Sequence, residues 1–153
     1  MTRKRCKRKV YPLVNPIARA IEGAVITPDS LLDQLRLREL SAIDSFTHGR
    51  ATRDDWMTIA DLCNIAETMA RDGIGPEVLE PCEAAQAALG AAHQRLKTHG
   101  RLGMSGPELV AIREIAEYHH LQRTAVARSV YEVAIRRTAD RIRSAHPDLK
   151  VFA

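Results

Sequence analysis

Apolar residues recur along most of this chain at intervals of three and four positions, the spacing that lines them up on one face of an α-helix. No segment shows the strict alternation of apolar and polar residues that is typical of a half-buried strand. The pattern therefore predicts an all-α protein, a helical bundle of four main helices. A short helix should precede them, because Asn15-Pro16 is a helix start signal and Gly23 is a stop signal.

Capping residues bound the first three main helices. Thr52 and Asp55 have the spacing of a capping box, in which each side chain accepts a hydrogen bond from the other residue's backbone N–H. Pro81 should kink or restart the third helix. The second helix has the widest apolar sector, so we expect it near the centre of the bundle. The predicted ranges are 27–48, 52–71 and 76–97.

The fourth predicted helix is the longest and covers residues 105–146. Ser105 and Glu108 form a second capping box, and Pro147 disfavours a helical conformation in the residue before it. Beyond its first turn the segment contains no glycine or proline, so the sequence predicts one continuous helix of roughly 60 Å. A break near the His119–His120 pair is the alternative.

Composition is ordinary for a soluble globular protein of 153 residues, with 45% hydrophobic and 27% charged residues. Only 4% are aromatic, so the core must be aliphatic and rich in alanine, which suits helices. We expect a single domain over residues 10–153, with an apolar clasp at residues 149–152. The three cysteines form no CxxC pair, and no run of about 18 apolar residues occurs. These features indicate a cytoplasmic protein with reduced thiols.

The basic charge is concentrated at the N-terminus. Net charge is +4, but residues 1–9 carry six basic residues, so the remainder of the chain has a net charge of −2. So much like charge in nine residues predicts a disordered tail that an acidic partner would bind.

The sequence has only parts of the motifs that a catalytic or metal-binding site would require. Glu117 and His120 have the Glu-x-x-His spacing of di-iron bundles, but the chain has no second copy of that motif. The glycine-rich loop at residues 100–106 lacks the preceding strand and the Gly-Lys-Ser/Thr of a nucleotide-binding loop. A helix-turn-helix motif over residues 59–89 would present Glu77 and other acids to phosphate groups. We therefore expect a protein that is not an enzyme and has no cofactor or metal.

Two basic regions remain as candidates for a sequence-independent nucleic-acid site, on either DNA or RNA. One is the tail and the other is the arginine-rich end of the fourth helix. The alternative is a protein-interaction module with no nucleic-acid role. The candidate residues are Arg3, Lys4, Arg5, Lys7, Arg8, Lys9, Arg136, Arg137, Arg141 and Arg143.

The second half of the fourth helix has apolar residues on more than one side. Shorter helices packed against it would leave some of them uncovered, so we expect a homo-oligomer. The predicted interface residues are Val126, Val130, Val133, Ile135 and Ile142.

Four short segments carry a resemblance to a known group of proteins. They are Asn15-Pro16-Ile17-Ala18, Gly49-Arg50-Ala51-Thr52-Arg53-Asp54-Asp55, Asn64-Ile65-Ala66-Glu67 and Ser105-Gly106-Pro107-Glu108-Leu109. Together they resemble uncharacterised small α-helical proteins encoded by bacterial phages and prophages. The resemblance implies a phage or mobile-element setting in a bacterial host cell, and it supplies no catalytic residues.

Overall fold

The computed structural model describes residues 29–145, and within that range it consists of helices joined by turns and loops, without a strand. The all-α prediction is confirmed. The predicted tail, the short N-terminal helix and the apolar clasp lie outside the described residues. The described helices are α1 (Asp29–Thr47), α2 (Arg53–Arg71), α3 (Leu79–His99), α4 (Gly106–Thr124) and α5 (Arg128–Ser144), and a 3-10 turn (Pro76–Val78) precedes α3.

Local capping chemistry accounts for the start of α2, and the position of Pro81 fits the start of α3. The backbone N–H of Thr52 donates to Asp55 Oδ2 at 2.8 Å, and the N–H of Asp55 donates to Thr52 Oγ1 at 3.3 Å. Pro81 does not kink α3, because it is the third residue of that helix. The first N–H groups of a helix have no intrahelical acceptor, so a missing donor there costs little.

The prediction of one continuous helix over residues 105–146 is wrong. The chain leaves the helical path at residues 125–127, and Ala127 has an extended backbone with φ −66° and ψ 151°. The alternative, a break near the His119–His120 pair, is nearer to what is observed, because both residues lie within α4 and that helix ends soon after them, at Thr124. No glycine, proline or capping side chain marks the actual break, so the sequence carries no local signal for it.

Packing across the molecule explains why the helix breaks. The turn at residues 125–127 allows α5 to pack on α2, where Ala134 and Thr138 are buried. The hydroxyl of Thr138 donates to Thr68 Oγ1 at 2.8 Å. A straight continuation of α4 would leave this face of α5 without its partner, so burial on α2 outweighs the few backbone hydrogen bonds lost at the turn.

Helix α2 is the central element, as the width of its apolar sector predicts, and it contacts the other four described helices. Its residues Ile59, Cys63, Ala66 and Met69 have no exposed surface. Alanines on α3 allow that helix to approach closely, and Ala85 and others are fully buried against α2. None of the described helices is long and apolar enough to cross a membrane.

Candidate interaction grooves

Three of the four arginines predicted for nucleic-acid contact at the end of the fourth helix are engaged in ion pairs within residues 29–145. Arg137 pairs with Asp72 at 2.7 Å, and Arg143 pairs with Asp140 on its own helix. Arg136 is exposed and makes no ion pair with any residue of the described range. The six basic residues of the predicted tail lie outside that range.

Arg141 has a structural role that charge counting alone does not reveal. Its guanidinium donates to the backbone carbonyl of Asn64 at 3.2 Å and to Glu67 Oε2 at 3.1 Å. Burial alone raises the pKa of Glu67, but hydrogen bonds from Arg71 and Gln86 and the charge of Arg141 lower it overall. Arg141 thus helps to hold the C-terminal end of α5 against α2.

The helical body does not present an excess of positive charge. Residues 29–145 contain 15 of the 23 basic residues and 17 of the 19 acidic residues, so this part of the chain has a net charge of −2. A surface that binds phosphate groups non-specifically needs unpaired positive charge. With a net charge of −2, this range has no overall excess of positive charge to provide it.

The five predicted interface residues divide between two surfaces of α5. Val130 and Val133 are exposed on α5, and Val126 is half-buried at the break. Ile135 and Ile142 are also exposed, but they line two grooves at the junction of α5 with its neighbours.

The larger groove lies between α2, α3 and α5 and has a volume of about 540 Å³. We call it the α3-side groove. Trp56, Met57, Leu89 and Ile142 form much of its apolar lining, and the Trp56 indole is held in place because its Nε1–H donates to the Leu89 carbonyl at 3.0 Å. Gly90 also lines the groove, and a Cβ added there would meet no heavy atom within 4 Å.

The smaller groove lies between α1, α2, α4 and α5 and has a volume of about 380 Å³. We call it the α1-side groove. Its apolar lining includes Leu31, Leu35, Leu62, Ile65 and Ile135. Exposed apolar residues from α1 and α5 therefore meet over the outer surface of α2.

Asp61 lines both grooves and so marks the place where they meet. Burial raises the pKa of Asp61, and the positive charge of Arg38 partly offsets this effect. Within residues 29–145, the Asp61 carboxylate makes no hydrogen bond or ion pair. Asp61 is exposed, so its carboxylate is accessible to a basic group of a ligand that lies in either groove.

A buried polar cluster supports the wall of the α1-side groove. Glu39 and Arg123 form an ion pair at 2.6 Å, and the Arg123 guanidinium carbon lies 6.0 Å from the ring centroid of Tyr131. The Tyr131 hydroxyl is 3.3 Å from His119 Nε2. Burial, followed by the charge of Arg123, lowers the pKa of His119 to about 3, so its ring is neutral near pH 7. These groups position one another, but His119 Nδ1 and Arg123 Nε are buried without a hydrogen-bond partner within residues 29–145.

Other candidate chemistry is absent from the described residues. No group of three His, Cys, Asp or Glu side chains within residues 29–145 could hold a metal ion, and Glu117 pairs instead with Arg36. Cys63 and Cys82 are buried, and burial raises the pKa of both thiols, that of Cys82 to about 12. Neither thiol has the lowered pKa that activates a cysteine nucleophile.

Sequence reasoning missed the residues that define the grooves. Met57 and Asp61 occupy ordinary exposed positions of an amphipathic helix, and nothing in their local sequence distinguishes them. Gly90 gives a weak signal. Glycine is unfavourable in the middle of a helix, so its presence there indicates a packing or functional reason.

Comparisons with known proteins add no further indication: no family model, no curated protein and no solved structure matches this chain.

Proposed function

We propose that this protein is a non-enzymatic interaction module whose two grooves bind an amphipathic segment of a protein partner. The observation that carries the proposal is the convergence of exposed apolar residues from three helices, Leu31, Met57, Ile135 and Ile142, along two grooves that share Asp61. An apolar groove between helices is a common recognition site for the apolar face of an amphipathic helix of a partner.

The position of α5 also supports this proposal. Helix α5 packs mainly on α2 and leaves Val130, Val133 and the two groove isoleucines exposed on either side of its buried face. Several exposed apolar residues on one short helix are typical of a surface that a partner covers. The mobile-element setting implied by the sequence resemblance is compatible with binding to a host or phage protein, or to a second copy of the chain.

Cross-linking in the native cell tests the proposal. A photoreactive amino acid at Met57, in the α3-side groove, should give an adduct of discrete mass. The same group at Leu37 or Val110, which are exposed apolar positions outside both grooves, should not. Gly90→Leu should block the adduct by filling the groove, and the matched Gly90→Ala should leave it intact. Equal adducts at all three positions, or none at Met57, would refute the proposal.

Sequence-independent binding of nucleic acid through the N-terminal tail is the second candidate function. It is supported by the contrast between six basic residues within the first nine positions and a net charge of −2 over residues 29–145. If the tail neutralises about four phosphates, the logarithm of the binding constant should fall with the logarithm of salt concentration with a slope of about −3.6 on duplex DNA. A mobility-shift series over salt concentration tests this, with the chain lacking residues 1–9 as the control.

A further inference from the structure

The turn between α4 and α5 lacks the local signals that usually end one helix and begin the next. Ala125 closes α4 with a helical backbone, φ −82° and ψ −10°, and not with the positive φ that Gly100 adopts at the end of α3. Ala127 begins α5 without a side-chain cap. Alanine and arginine favour a helix strongly, and they occupy three of the positions 125–128. The packing of α5 on the rest of the molecule therefore imposes the turn.

The turn also leaves several backbone N–H groups without a backbone acceptor. Within the described residues, the N–H groups of residues 126–129 make no backbone hydrogen bond. In a continuous helix, each of these groups would donate to the carbonyl four residues earlier in the chain. The folded-back position of α5 therefore lacks four backbone hydrogen bonds that a straight helix over α4 and α5 would contain.

The contacts that hold α5 on α2 do not depend on the path of the chain through the turn. Thr138 Oγ1 donates to Thr68 Oγ1 at 2.8 Å, and the Arg141 guanidinium reaches Glu67 Oε2 at 3.1 Å. Ala134, one helical turn before Thr138, is buried on the same face of α5. All of these residues lie on α2 or beyond the turn. An α2 from a second copy of the chain therefore offers α5 the same partners.

We propose that α5 is exchanged between two copies of this chain, so that α5 of each copy packs on α2 of the other. In this dimer, residues 125–127 are helical and α4 continues into α5. The contacts of α5 with α2 are kept, and the backbone hydrogen bonds missing at the turn are formed. Exchange of an identical element between copies, known as domain swapping, is a low-cost route to a dimer. Because a short turn joins α5 to its own α2 in the folded-back chain, the dimer is favoured only as the protein concentration rises.

The exchange goes beyond the interaction module proposed above and does not depend on it. Thr68 and Thr138, which meet at the centre of the α2–α5 contact, line neither groove. Ile135 and Ile142 do line the grooves, and in the exchanged dimer these two side chains come from the second copy. Each groove is then built from both chains and keeps the same lining.

A proline at position 128 distinguishes the two forms. Arg128 is the first residue of α5, and the extended backbone of Ala127 before it suits a following proline. In a continuous helix the same proline would remove a hydrogen bond and clash with the carbonyl of Thr124. After refolding from urea over a range of concentrations, light scattering should show a dimer of the native chain, and Arg128→Pro should weaken dimerisation by at least roughly 100-fold. The matched Arg128→Ala, which also removes the ion pair with Glu132, should dimerise like the native chain.

Cysteines at the α2–α5 contact identify which chain supplies α5. One chain carries Thr68→Cys and another carries Thr138→Cys, and the two are refolded together from urea and treated with oxidised glutathione. The exchanged dimer places one cysteine against the other, so a covalent dimer of the two chains should form. Neither chain refolded alone should give this product. A single chain with both changes, refolded at low concentration, should form the disulfide within itself, which shows that the two positions can be joined.

Two results would overturn the exchange of α5. One is a native chain that stays monomeric after refolding at about millimolar concentration, the effective concentration that a short tether provides. The other is a dimer that Arg128→Pro forms as readily as Arg128→Ala and that gives no mixed covalent product, because such a dimer joins folded-back chains through their exposed residues. Loss of the cross-link at Met57 with exchange retained would refute the groove proposal alone.

Discussion

Arg123 donates hydrogen bonds to both carboxylate oxygens of Glu39, from Nη1 to Oε1 at 2.6 Å and from Nη2 to Oε2 at 3.2 Å. The two residues are 84 positions apart in the sequence, and their side chains are only 1% and 8% exposed. The pair joins the end of α4 to α1, next to the break that separates α4 from α5. Its burial means that neither charge can be removed without leaving the other unpaired in a medium of low polarity.

We expect Arg123→Met alone to reduce the free energy of unfolding by about 3–5 kcal/mol, because it leaves the Glu39 carboxylate buried without a partner. The double variant Arg123→Met with Glu39→Leu should be less destabilised than the single variant. Urea denaturation measures both. The exposed pair Arg128–Glu132 is the control, and Glu132→Gln there should cost less than about 1 kcal/mol. A double variant as unstable as the single one would show that the pair contributes net stability beyond charge compensation.

The second prediction concerns pH and the capping box at the start of α4. Hydrogen bonds from Arg95 and from the Ser105 backbone N–H lower the pKa of Glu108 to about 2, against the opposing effect of burial. Because the pKa in the folded state is below that of the unfolded chain, the ionised group stabilises the fold fully above about pH 4.5. That contribution is lost as pH falls from about 4.5 toward 2.

Thermal unfolding between pH 7 and pH 2.5 measures this effect. The native chain should exceed Glu108→Gln in melting temperature at pH 7, and the difference should shrink as the pH falls below about 4.5. Glu114→Gln, an exposed change on the same helix, is the control and should show a constant small difference. A pH-independent difference for Glu108→Gln would mean that the side chain acts through packing, not through its charge.

The helix starts could be predicted from the sequence because their chemistry is local. Thr52 and Asp55 are three residues apart, and Gly49 and Gly100 adopt the positive φ that ends a helix. Capping interactions join residues that are close together in the sequence, so the spacing of those residues is enough to predict where a helix begins or ends. The central position of α2 was predicted for a similar reason, because a wide apolar sector requires neighbours on several sides.

The break at residues 125–127 and the grooves could not be predicted, because distant residues determine them. Thr138 meets Thr68, and Arg141 meets Glu67, across about 70 positions of sequence. The same contacts explain why Arg141 is not a free surface charge. Asp61 was missed because its unusual setting comes from the walls around it and not from its own helix.

The third prediction uses the break itself. Ala127 occupies the N-cap position of α5 with an extended backbone, but its methyl group cannot accept a hydrogen bond from the first turn. Ala127→Asp or Ala127→Ser should therefore raise the free energy of unfolding by about 0.5–2 kcal/mol. Ala125→Ser is the control, because Ala125 has a helical backbone and should gain nothing. If residues 105–146 instead formed one helix, both changes would be neutral or slightly unfavourable.

The last prediction separates structural arginines from arginines available to a ligand. Arg141→Ala should lower the free energy of unfolding by about 1 kcal/mol, because it removes hydrogen bonds to Asn64 and Glu67 that hold α5 on α2. Arg136→Ala should change stability by less than about 0.5 kcal/mol, since Arg136 is exposed and makes no ion pair within residues 29–145. Denaturant unfolding gives both values.

In the mobility-shift series, Arg136→Ala should then weaken DNA binding more than Arg141→Ala if α5 takes part. Neither change should affect DNA binding if the tail acts alone. A stronger effect of Arg141 on DNA binding, at unchanged stability, would restore the prediction that its charge faces the nucleic acid.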